Sequence, residues 1–156
     1  MGIFDWFSAL SRGDEKAAQT VSSTQPQGGI RDEAVIQGLD FVAAIEAHRK
    51  WKQRLTAYAE GNSSESLDHA VICRDDQCAL GKWIYGQGAK HTGHLPLFHQ
   101  LKAKHAQFHI SASQVVELVQ NAQQDAAMEL ILHGEFSKNS REVQTLISKL
   151  FVEMKE

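Results

Sequence analysis

From residue 41 to residue 58, Phe41, Ile45, His48, Trp51, Leu55 and Tyr58 recur at steps of three and four, the spacing of one face of an α-helix. A helix with such a stripe has to bury it against other elements. The period returns twice. Phe98, Leu101, His105, Phe108, Ala112, Val115, Val119 and Ala122 form a second stripe, with Pro96 suited to the first helical position. Met128, Ile131, Phe136, Val143, Leu146, Leu150 and Met154 form another, weakened in the middle by Gly134 and Asn139. No stretch alternates with period two, and the chain has only 2 prolines. The expected fold is therefore all-α, most simply a four-helix bundle.

Between the stripes, "GNSSES" at 61–66 supplies a turn after a first helix expected over 32–60. "DDQCALGKWIYG" then offers Asp75 as an N-cap and Gly86 as a stop, predicting a short helix with Cys78 in its first turn. The region from residue 30 to residue 156 reads as one domain, a length that buries a core without disulfides. Ahead of it, residues 13–29 are rich in Gly, Ser, Thr and Gln and almost free of large apolar side chains, as in a flexible linker. Residues 1–12 place Ile3, Phe4, Trp6, Phe7 and Leu10 on one side of an additional short amphipathic N-terminal helix. Its opposed Asp5 and Arg12 suit an anionic membrane surface poorly, and Trp6 breaks the myristoylation pattern that Gly2 begins, so docking elsewhere is the expectation.

Four polar side chains fall where the interior should be apolar: His48 on the first helix, Cys78 on the short one, and His105 with His109 on the third. Unpaired, each would cost free energy to bury. The four-residue spacing of His105 and His109 puts both imidazoles on one face, as a shared metal ion requires. Three imidazoles and a thiolate are a ligand set that Zn(II) favours, and four protein donors complete its tetrahedron. No position is then left for an activated water, which points to a structural or sensing metal. Amide dipoles of the short helix, with the metal charge, should hold Cys78 as thiolate, and a nearby carboxylate or carbonyl should orient the rings.

Each residue also has a plainer reading. A single inward histidine is commonly a hydrogen-bonded core residue, and paired histidines occur on solvent faces. Cys73, after Val71 and Ile72, reads as an inert buried thiol, Trp83 as core, Gly81 as a point of close approach and Lys82 as solvated. His69, His91, His94, His99 and His133 read as surface or turn residues without a role. A Cys78 nucleophile with His105 or His109 as base is a competing enzymatic reading, but no oxyanion donors or thiol-enzyme signature accompany it. A metal that only staples an interaction scaffold is a second alternative. A di-iron centre lacks its Glu-x-x-His carboxylates.

Charge excludes other classes. With 16 Lys and Arg against 19 Asp and Glu, the net charge is −3 and no basic stripe forms, so nucleic acid is not an expected partner. Two cysteines five residues apart fit reduced thiols and a cytoplasmic setting, and no apolar run reaches membrane-span length.

In order along the chain, His48, the run Cys78-Ala-Leu-Gly-Lys-Trp83, and His105 with His109 resemble the chemoreceptor zinc-binding domain family of bacteria. The resemblance covers most of the chain after about residue 39. It implies a four-helix bundle, often a homodimer, holding one Zn(II) per chain through His48, Cys78, His105 and His109. It also implies a sensory module of chemotaxis or cyclic-di-GMP signalling, partnered by chemoreceptors or diguanylate cyclases and in some members responsive to oxidants through the cysteine. No receptor signalling helix or cyclase domain is recognisable here, so a stand-alone, non-enzymatic sensor is expected.

Overall fold

The computed structural model describes residues 35–155. The N-terminal helix and linker expected over 1–29 lie outside the described residues.

The described chain opens with an antiparallel hairpin that period-two reasoning missed, β1 (Val35–Ile36) paired with β2 (Leu39–Asp40). Two residues per strand are too few to show an alternation. The turn between them puts both Gln37 (φ 52°) and Gly38 (φ 83°) in the left-handed region, the pattern of a type I′ turn. The hairpin moves the start of the first helix from 32 to Phe41: α1 (Phe41–Ala59) is N-capped by Asp40, whose carboxylate accepts from the Ala43 amide at 2.9 Å. Gly61, at φ 76°, ends it.

The predicted short helix is α3 (Ala79–Ile84), shorter than expected, and it is flanked by two further short helices that the sequence did not signal, α2 (His69–Ile72) and α4 (Gln87–Thr92). Asp75 does not cap any of them. The N-cap of α3 is Cys78 itself, and the helix stops at Ile84, with Gly86 preceding α4. The third predicted helix is α5 (Pro96–Gln120), which starts on its proline as expected but ends before Ala122. Ala122 is exposed with φ 59°, and the Gln123 amide donates to the Leu118 carbonyl at 2.8 Å, a reversal that closes the helix.

The expected fourth helix is split at His133 and Gly134 into α6 (Gln124–Leu132) and α7 (Glu135–Lys155). The weak point foreseen at Gly134 is a full break; Asn139 lies buried inside α7 and donates to the Gln107 carbonyl at 3.3 Å. The fold is all-α apart from the hairpin. Helices α1, α5, α6 and α7 pack on one another around a core that includes Leu55, Leu101, Phe108, Val115, Ile131, Phe136, Val143 and Leu150, while α2 lies on α5. No helix among the described residues is long and apolar enough to cross a membrane.

Candidate metal centre

His48 stands on the inward stripe of α1 between Ala44 and Trp51, and His105 and His109 stand on that of α5, with Phe108 beside them. All three imidazoles are buried, and so is the Cys78 side chain. Cys78 reaches the same spot from the start of α3, where its extended backbone (φ −83°, ψ 164°) turns Sγ to accept from the Gly81 amide at 3.3 Å. Sulfur here fills the capping role that Ser or Asp usually fills.

One donor atom from each of the four residues lies within 4.8 Å of all the others, and the four form a possible metal-holding group among the described residues. Cys78 Sγ is 3.2 Å from His105 Nε2 and 3.6 Å from His109 Nε2, and the two Nε2 atoms are 3.1 Å apart. Zinc bond lengths of about 2.0 Å to nitrogen and 2.3 Å to sulfur, set at tetrahedral angles, require about 3.4 Å between nitrogens and about 3.6 Å between nitrogen and sulfur. The observed spacings are close to both values.

The protons point the same way. His48 Nδ1 is 2.7 Å from the Ala44 carbonyl and His109 Nδ1 is 2.9 Å from the Ile72 carbonyl. A carbonyl only accepts, so both Nδ1 atoms donate and both Nε2 atoms present lone pairs to the centre. His48 Nε2 has no hydrogen-bond partner, an omission that costs about 1–3 kcal/mol in a buried group. A cation placed among these atoms satisfies them together. The residues therefore fit the zinc ion implied by the sequence.

Burial sets the electrostatics. It lowers the pKa of His48 and of His109 to about 4, and holds His105 well below the usual histidine value with further help from His109 and His48. Neutral imidazole, the form that binds metal, is thus favoured at neutral pH. Burial also raises the Cys78 thiol to about 12, against the opposing amide of Gly81. The Gly81 and Leu80 amides favour the deprotonated sulfur as expected, but burial outweighs them: without a cation Cys78 is a thiol, and the metal charge is needed to displace its proton.

Other expectations separate. Cys73 is exposed, not buried, because it follows the last residue of the short α2 on its outer side, where Sγ donates to the Ala70 carbonyl at 3.2 Å. Trp83 is buried core as expected, and its indole N–H donates to the Gln37 carbonyl at 3.1 Å. Gly81 marks a close approach: a Cβ there would lie 1.7 Å from the Asp75 carbonyl oxygen. Lys82 and the five remaining histidines are exposed. What sequence reasoning missed is the surroundings of the donors, namely the Ala44 and Ile72 carbonyls and the carboxylate of Asp75, 3.9 Å from His105 Nδ1. A backbone carbonyl has no sequence signal, whereas Asp75, three residues before Cys78, had been given the wrong task.

Residues 48–116 match the chemoreceptor zinc-binding domain family, a stretch that opens on His48 and spans Cys78, His105 and His109, which bears out the resemblance read from the sequence. No curated protein and no solved structure matches the chain.

Proposed function

We propose that this chain, with a chemoreceptor zinc-binding domain over residues 48–116, is a regulatory module that holds one Zn(II) through His48, Cys78, His105 and His109. The observation that carries the reading is the convergence of four buried donor atoms within 4.8 Å, two of the imidazoles being fixed in the metal-binding tautomer by backbone carbonyls. Bound zinc supplies positive charge to the thiolate and a cross-link between α1, α3 and α5. His48 and His109 orient their rings, Cys78 gives up a proton, and the surrounding hydrocarbon excludes water. Loss of that cross-link strands three imidazoles and a thiol in the interior, so α3 loosens and the surface it forms changes.

On this reading the domain spans residues 30–156, works in the cytoplasm as a homodimer, and regulates a chemoreceptor or diguanylate cyclase system, with Cys78 also open to oxidants. On the same reading the module has no catalytic role, which the burial of Cys78, 6% exposed, supports. Elemental analysis of protein purified without an affinity tag should find one zinc per chain, and Cys78→Ala should lose most of it. Full occupancy in that variant would refute the ligand set. Titration of a candidate signalling partner against zinc-loaded and zinc-stripped protein separates regulation from stapling, because equal affinities would leave zinc a structural role only.

A further inference from the structure

The three imidazoles are not held alike. His48 and His109 each donate from Nδ1 to a main-chain carbonyl, but His105 Nδ1 is buried without a hydrogen bond. The group facing it is the carboxylate of Asp75, whose Oδ2 is 3.9 Å away. That same oxygen accepts from the Tyr85 hydroxyl at 2.8 Å, so the carboxylate is held at the edge of the site. The backbone of Asp75 is seated there because residue 81 has no side chain.

Charge gives this arrangement a purpose. Two positive charges from zinc and one negative charge from a thiolate leave +1 in a water-free pocket, which is costly unless an anion stands close. Asp75 brings the sum to zero. Asp76 is also acidic, but it is exposed and engaged with the Gln77 amide at 3.1 Å. We infer that Asp75 is a positioning residue for the metal centre, accepting the Nδ1 proton of His105 and supplying the counter-charge, with Tyr85 as its clamp. The inference rests on the zinc reading above. It assigns to a side chain what main-chain carbonyls do for the other two histidines, so His105 is the one ligand whose orientation a single substitution can release.

Zinc affinity of the full chain, measured by competition with a chromophoric chelator, tests this with Asp75→Asn, Asp75→Glu, Tyr85→Phe and Asp76→Asn. Asp75→Asn, which keeps the shape and removes the charge, should weaken binding about 10- to 100-fold. Asp75→Glu should recover part of the loss, Tyr85→Phe should cost less than Asp75→Asn, and Asp76→Asn should stay within about twofold of the parent. Cobalt-loaded Asp75→Asn should retain the thiolate charge-transfer band, since Cys78 still binds. Parental affinity in Asp75→Asn, or an equal loss in Asp76→Asn, would overturn the assignment. Either result alongside a parent that binds zinc and a Cys78→Ala variant that does not would sink this inference alone; zinc retained by Cys78→Ala would sink the metal site itself.

Discussion

The connection from residue 61 to residue 95 and the pair of helices α5 and α7 are held by different forces. Helices α5 and α7, of 25 and 21 residues, bury Phe108, Val115, Phe136, Val143, Ile147 and Leu150 against each other and their neighbours. Hydrocarbon removed from water is enough to keep them folded. The connection contains helices of 4, 6 and 6 residues, each below the length at which a helix persists by itself. Besides burying Leu67, Ile72, Leu80, Trp83 and Ile84, it relies on point contacts: the Asp68 and Cys78 caps, the ion pair of Arg54 with Glu65, the Trp83 indole N–H and the Asp75 carboxylate. The donor from this region, Cys78, is also the one that must lose a proton to bind. With two candidate donors on α5, one on α1 and only Cys78 on the connection, the short-helix side of the site is the part expected to respond.

Stripping the zinc should therefore widen the contrast most. At free zinc a thousandfold above the dissociation constant, binding adds about 4 kcal/mol to stability, and its removal should speed amide exchange across α2 and α3 far more than across α5 and α7. Uniform loss of protection would abolish the distinction between the two regions.

Acid should act next, and on the metal-free protein. An unfolded histidine takes its proton near 6.5, whereas folded His48 and His109 refuse it until about 4. Their depressed values mean that the unfolded chain binds more protons in this window, so stability falls as pH drops from 6.5 towards 4. Cys78, raised from 9.0 to about 12, works in the other direction: the folded thiol keeps a proton that the unfolded one releases, and stability falls as pH rises through that interval. Urea midpoints of the metal-free protein should form a plateau between about pH 6.5 and 9, which Cys78→Ala shortens on neither side but extends on the alkaline one. A midpoint unchanged between pH 7 and 5 would contradict the buried, neutral state of the histidines.

The smallest effect should come from the hydrocarbon side. Ile131→Val, in a fully buried position on α6, should lower stability by about 0.5–1.5 kcal/mol and leave zinc affinity as it was. Coupled loss of zinc would show that the two regions are not independent.

The same division decided what could be read in advance. Stripes over 41–58 and 98–119 are long, regular and buried, and a histidine standing in such a stripe is conspicuous, so His48, His105 and the bundle were legible. Cys78 was legible because its local motif is distinctive. The hairpin at 35–40 was not, since two-residue strands have no period to detect. Nor was the outward side of Cys73, because α2, four residues long, has no second turn to reveal its face. Gly134 announced a weakness, but whether it bends or breaks the helix depends on packing of α6 against α1 and α5.

Trp83 joins the far end of α3 to the carbonyl of Gln37, and through the hairpin to everything that precedes Val35. The helix that begins at the sulfur is thus tied at its other end to the hairpin turn. Gln37 and Gly38, in the left-handed conformation of the turn, form the fixed point to which that tie is made.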